Sequence, residues 1–155
     1  LDVSVENINS LVLGTHGNKM LPLTRYSNIG GIPLHNMLEM GLITQEKLHS
    51  VVQRTRSAGD EIISLLEMGS TAFYAPAASA IDITKSYLYD KRKVMSCTAY
   101  LDGEYNEKGI YAGVPVIIGK NGVEKIIEVE LNIEEKIAFA ASIHSIKNLI
   151  NSIKL

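Results

Sequence analysis

Ile110–Leu131 reads IYAGVPVIIGKNGVEKIIEVEL, two apolar runs separated by Gly119-Lys120-Asn121-Gly122. Asn-Gly flanked by apolar runs is a strong hairpin signal, because both residues tolerate the positive φ that tight turns require. Ile110–Ile118 and Glu124–Leu131 therefore read as paired strands, with Val94–Leu101 (VMSCTAYL) as a third before them. Strands joined in hairpins, with helices set apart from them, predict an α+β domain of antiparallel strands and long helices rather than a doubly wound sheet.

Moving outward, Asn132 followed by Glu135 gives a cap-and-N3 pattern for a last helix, with Phe139, Ile143, Ile146, Ile150 and Ile153 as its apolar stripe. The adjoining pair Glu134-Glu135 is explained by the helix dipole without any chemistry. Upstream, Pro76 suits the first turn of a helix over about Ala75–Asp90, where its missing N–H costs nothing. The small residues Ala75, Ala77, Ala78, Ser79 and Ala80 would let that helix approach a neighbour closely. Thr44 can cap an earlier helix. Leu48, Val51, Val52, Thr55, Gly59, Ile62, Ile63 and Leu66 recur at helical spacing to about Met68, and Gly69-Ser70 is the expected stop. In the first third, Ser10–Leu13 and Met20–Ile29 read as strands and Gly30-Gly31-Ile32-Pro33 as a turn.

The chain has 155 residues, the size of one ordinary domain, and a net charge of −2. That charge argues against nucleic acid or another polyanion as the main partner. The densest basic cluster, Lys91-Arg92-Lys93, directly follows Asp90 and reads as a solvated turn. No apolar run is long enough to span a membrane, and no secretory pattern opens the chain, so a soluble, cytoplasmic protein is expected. Cys97 is the only cysteine and lacks a CxxC partner. Within an apolar strand it reads as a buried, inert thiol, which fits a reducing compartment. Leu1 is not a start methionine, and the chain runs almost at once into NSLVLG (Asn9–Gly14), as if cut from something longer.

Chemistry-bearing motifs are few. GxGxxG is absent, and GVPVIIGKN (Gly113–Asn121) resembles a phosphate loop only superficially: the spacing is wrong, Asn121 stands where Ser or Thr should be, and the segment joins two strands. The four histidines show no HxH or HxxxH pair, so no metal site is expected. His35 and His49 read as exposed, and His144 as a packed or surface residue beside the last helix's stripe. His16, in LGTHGNKMLP (Leu13–Pro22), is different. Glycines on both sides allow a tight bend and let a ligand approach the imidazole. Histidine exchanges protons near neutral pH. From the residues alone His16 stays open between a loop histidine and a proton-transfer residue, and no nearby Asp offers to fix its tautomer.

GTHGNKMLPLTRYSNIGGIPL (Gly14–Leu34) resembles the G-x-H-G-D-x-M-V-P-L-x-R-Y-S segment of NAD-dependent 2-hydroxy-acid dehydrogenases, specifically malate dehydrogenases of the lactate-dehydrogenase-like type. Similar segments follow in order: QRTRSAGDEIISLL (Gln53–Leu66), AFYAPAASAI (Ala72–Ile81), KSYLYDKRKV (Lys85–Val94), Gly109–Leu131 and Glu134–Lys136. The resemblance implies His16 as the acid/base, Ala72 and Gly59 at the substrate, and Pro76 beside the nicotinamide of NAD. It implies a small 2-hydroxy or 2-keto acid as ligand, a homo-oligomer (dimer or tetramer), and residues 1–155 as the C-terminal catalytic domain. The family's Gly-rich cofactor loop, substrate-loop arginines and histidine-orienting aspartate precede the HG motif, so an N-terminal NAD-binding Rossmann domain is the implied partner. Asn18 stands where the family usually carries Asp, and Asp60 where related sequences carry a small or aromatic residue. GSTAFYAPA is one residue longer than the commoner GSAFYAPA. RYSNIGGIPL and APAASAI look more malate-type than lactate-type, with L-lactate dehydrogenase as the alternative. An inactive, stand-alone interaction module is the alternative of another class.

Overall fold

A computed structural model describes residues 1–66 and 71–153. The expected α+β class holds: three small antiparallel sheets pack with helices. The largest sheet is the meander of β6 (Lys93–Asp102), β7 (Lys108–Gly119) and β8 (Gly122–Ile126). Its first ladder runs in register from Lys93↔Ile118 to Leu101↔Ile110, with an irregularity at Leu101/Asp102. The second hairpin turns on Lys120-Asn121, and positive φ falls on Gly122 (+85°), where no Cβ can clash.

Strand β8 ends at Ile126, five residues short of the expected Leu131, and Pro115 accounts for this. Ile127 N–H donates to the Pro115 carbonyl at 2.8 Å, but proline has no N–H to return. The Ile127 carbonyl instead accepts from the Tyr105 hydroxyl (2.9 Å), and the Val129 N–H donates to that hydroxyl (3.0 Å). The ladder therefore gives way to a tethered linker.

The first third is more broken than expected. It holds five two-residue strands: β1 (Ile8–Asn9), β2 (Val12–Leu13), β3 (Leu21–Pro22), β4 (Asn28–Ile29) and β5 (Ile32–Pro33). These pair as β1-β4-β5 and β2-β3. A 3-10 turn at Thr24–Tyr26 interrupts the expected strand Met20–Ile29. The expected turn at residues 30–33 narrows to Gly30-Gly31, both at positive φ, because Ile32 and Pro33 pair back onto β4. A short helix α1 (Leu34–Glu39) follows Pro33 and was not signalled by periodicity.

The long helices fall close to expectation: α2 (Gln45–Leu65), α3 (Tyr74–Leu88) and α4 (Ile133–Ser152). Thr44 caps α2, accepting from the Lys47 N–H. The expected stop at Met68, Gly69 and Ser70 lies outside the described residues. Asn132 and Glu135 form the capping box of α4. Phe139 and Ile143 are buried in the core with Val114, Val116 and Leu13. Ile150 and Ile153 are exposed, because the last turns of α4 run past that core. Helix α2 has no buried residue despite its apolar spacing. No described helix is long and apolar enough to cross a membrane.

Glu135 also fastens α4 to the 3-10 turn. Arg25 Nε and Nη2 donate to its two carboxylate oxygens at 3.0 and 2.7 Å, a bidentate pair. Arg25 Nη2 and the Tyr26 hydroxyl both donate to the Glu130 carbonyl. The bonds from Arg25 hold the Glu135 carboxyl below the usual carboxylate range, against a smaller opposing effect of burial. A carboxyl depressed in the fold stabilises the protein above its unfolded pKa and loses that contribution as pH falls through the folded value. Thermal stability should therefore decline as pH drops below about 4.3, the ordinary glutamate value. Glu135→Gln should lower the melting temperature at pH 7 and flatten that acid limb. Equal acid limbs in the two proteins, followed by circular dichroism, would remove Glu135 from the acid response.

Candidate active site

His16 sits on a loop between β2 and β3 whose shape is set by contacts on either side of it. Gly14 and Gly17 both adopt positive φ, +87° and +93°. Gly14 and Gly113 exchange a pair of backbone hydrogen bonds, N–H to carbonyl at 2.8 and 2.9 Å. A Cβ on Gly113 would lie 2.7 Å from the Gly14 carbonyl oxygen, so only glycine allows this approach. On the other flank, a Cβ on Gly14 would collide with Ser142 Oγ. Ser142 is fully buried on α4; its Oγ accepts from the Thr15 N–H (2.8 Å) and donates to Thr15 Oγ1 (3.1 Å).

The loop leaves through a turn in which the Met20 N–H donates to the Gly17 carbonyl (2.9 Å). Arg56 of α2 reaches across and donates from Nε to the Met20 carbonyl at 3.2 Å. One turn further along α2, Gly59 faces the imidazole: a Cβ there would lie 3.9 Å from His16 Nε2. The structure thus brings His16 and Gly59 together. The imidazole itself is exposed, and among the described residues no carboxylate hydrogen-bonds to it. It lines a shallow depression of about 170 Å³ together with Val12, Thr15, Met20, Cys97 and Thr98.

Ala72 and Pro76 are not among the residues lining that depression. Ala72 is half-buried ahead of α3, and Pro76 is exposed in its first turn. A wider hollow of about 660 Å³ between α3 and the meander meets the histidine's depression only at Ser96, Cys97 and Thr98. Cys97 is half-buried rather than fully enclosed as expected. Burial, with a smaller effect of the Asp82 charge, pushes its thiol pKa up, which disfavours the reactive thiolate.

His35, His49 and His144 are exposed, as expected for the first two. The described residues hold no group of three His, Cys, Asp or Glu that could bind a metal ion. The basic turn is partly paired, Arg92 with Glu124 and Lys93 with Asp82. Sequence reasoning missed Gly113, Ser142 and Arg56. Glycine inside a strand is itself a signal of close backbone approach. Ser142 stands at an apolar-face position between Phe139 and Ile143, where a hydroxyl needs a partner.

The profile of the lactate/malate dehydrogenase alpha/beta C-terminal domain matches residues 1–154. The fold is therefore that of a dehydrogenase-type alpha/beta C-terminal domain. The chain belongs to the lactate/malate dehydrogenase family, and it forms that family's C-terminal domain. Among solved structures, malate dehydrogenase of Cryptosporidium parvum is similar at 42% identity and TM-score 0.93, over 97% of this chain and 48% of that one. Lactate dehydrogenase of Eimeria maxima, solved with NADH and oxamate, is similar at 41% and 0.94, over 98% and 47%. Malate dehydrogenase of Salinibacter ruber is similar at 40% and 0.88, over 97% and 47%. The chain spans about half the length of these structures.

Gly113→Ala should destabilise the fold. The added methyl meets backbone rather than a flexible side chain, so the cost should be that of an overpacked site, about 1–3 kcal/mol. Chemical denaturation measures it, and an unchanged midpoint would show that the loop does not need this close approach.

Proposed function

We propose that this domain, joined to an N-terminal NAD-binding domain, interconverts (S)-malate and oxaloacetate, with His16 as the proton donor and acceptor. The observation that carries this reading is the pairing of His16 with Gly59. The loop backbone is fixed on both sides, while the imidazole stays open and faces a helix position with no side chain. A small substrate can then reach Nε2 without displacing protein. In the reducing direction His16 gives its proton to the carbonyl oxygen of the keto acid; in the oxidising direction it takes the hydroxyl proton. As imidazolium it also stabilises the negative charge growing on that oxygen.

NAD would supply the hydride exchange at the same carbon. The start of α3 fits the nicotinamide end of such a cofactor: from Tyr74 to Ala80 it is exposed, and from Ala75 to Ala80 it is small and uncharged. It carries no basic side chain for the diphosphate, which is left to the N-terminal domain. In this reading Pro76 lies on the cofactor side, and Ala72 with Gly59 on the substrate side. The protein works as a homo-oligomer in the cytoplasm.

Lactate dehydrogenase is the second reading, favoured by one observation: the Eimeria maxima enzyme is as similar to this chain as the Cryptosporidium parvum malate dehydrogenase. NADH oxidation by the full-length gene product, with oxaloacetate and pyruvate supplied in parallel, separates the two. Preference for oxaloacetate supports malate; preference for pyruvate reverses the assignment. Turnover of neither would favour an interaction module. His16→Ala should lower turnover by ~10²–10⁴-fold or more while leaving NADH affinity largely intact. A variant retaining more than about a tenth of wild-type turnover would remove His16 from the chemistry, on the same scale.

A further inference from the structure

We infer that Ser142 is a positioning residue for His16, a role that rests on the acid–base reading above. Hydroxyls inside helices commonly bond back to their own helix carbonyls. Thr55, Ser57, Ser64 and Thr84 all do so in this chain. Ser142 does not. Its hydroxyl leaves α4 and makes both of its hydrogen bonds to Thr15, the residue immediately before His16, across 127 positions of sequence.

Those two bonds constrain what the loop can do. Accepting from the Thr15 N–H fixes the peptide plane between Gly14 and Thr15, and donating to Thr15 Oγ1 fixes that side chain's rotamer. The approach is possible because Gly14 has no Cβ to collide with the serine. Ser142 makes no other side-chain hydrogen bond among the described residues, so its polar contacts are spent wholly on this loop. Thr15 in turn lines the depression that holds His16. Without the hydroxyl, the Thr15 N–H loses its partner and the backbone that carries the imidazole is released. A displacement of about 1 Å in a proton-transfer geometry can cost on the order of 100-fold in rate.

Ser86 supplies a matched control. It too is fully buried; its hydroxyl donates to the Ile118 carbonyl (2.7 Å) and accepts from the Lys93 N–H (3.2 Å), away from the histidine loop. The experiment compares Ser142→Ala and Ser86→Ala in the full-length enzyme, well below both melting temperatures, and repeats Ser142→Ala in a His16→Ala background. Both serine variants should melt earlier. Only Ser142→Ala should lower kcat, by about ten- to a hundred-fold, with a smaller change in KM. In the His16→Ala background it should lower kcat no further, since no imidazole remains to be positioned. Ser142→Cys, which keeps a weaker donor and acceptor on a larger atom, should recover part of the loss and serves as the readout if Ser142→Ala does not fold.

Equal kcat for the Ser142 and Ser86 variants, or a full further loss in the His16→Ala background, would overturn the positioning role and leave the acid–base reading intact. High activity in the single variant His16→Ala would remove both.

Discussion

The pair of hydrogen bonds exchanged by Gly14 and Gly113 ties the histidine loop to the sheet, and the arrangement of β7 makes that pair possible. One edge of β7 is occupied along its length by β6. The other edge is divided. Val116–Gly119 pair with β8, Pro115 halts that ladder, and Gly113 then takes Gly14. A strand fully paired with β8 would leave the loop no N–H donor on that edge, since each backbone N–H donates once. Proline at 115 and glycine at 113 act together: the first clears the edge, the second lets another backbone come within hydrogen-bonding distance.

What happens to the displaced chain also bears on the site. After Ile126 the backbone needs partners that the ladder no longer offers, and Tyr105 takes up Ile127 and Val129 while Arg25 and Tyr26 take up Glu130. The linker therefore delivers α4 at a defined place. Glu135 locks its first turn through the capping box and the Arg25 pair. Two helical turns later, at i+7 and so on nearly the same face, α4 presents Ser142 to the loop. The edge of β7 and the middle of α4 thus grip the segment ahead of His16 from two directions, and both grips trace back to Pro115.

Elements written in local sequence were legible from it. The Asn121-Gly122 hairpin, the Asn132/Glu135 capping box and the Thr44 cap each depend on residues within a few positions of one another. The strands of the first third were legible only in part: Ser10–Leu13 and Met20–Ile29 contain β2, β3 and β4, but a two-residue run has no period, so their bounds, and β1 and β5 altogether, were not. Proline inside Ile110–Ile118 was visible, but its effect on β8 depends on which edge faces β8, a fact of three dimensions. Likewise His16 stood out by its glycines, whereas the residues that fix it, Gly113 and Ser142, meet it only through the fold. Their one-dimensional trace is a misfit: a glycine in a strand and a serine on an apolar stripe.

The two sides of the site are held with unequal firmness. The loop's entry is bonded to the core sheet and to a buried serine, whereas its outer wall is α2, which buries no residue and touches the site through Arg56 and Gly59, three positions apart on one face. The wall at Gly59 and the grip on Met20 therefore belong to one helix face, separate from the bonds that hold Thr15. A small tilt would move the wall at Gly59 and the grip on Met20 together, while Thr15 stays fixed by Ser142. The imidazole can then keep its place as the space beside it changes. In such a design the position of His16 and the size of the hollow beside it are set by different parts of the chain, so substitutions along α2 alter the space next to the imidazole without disturbing the loop that carries it.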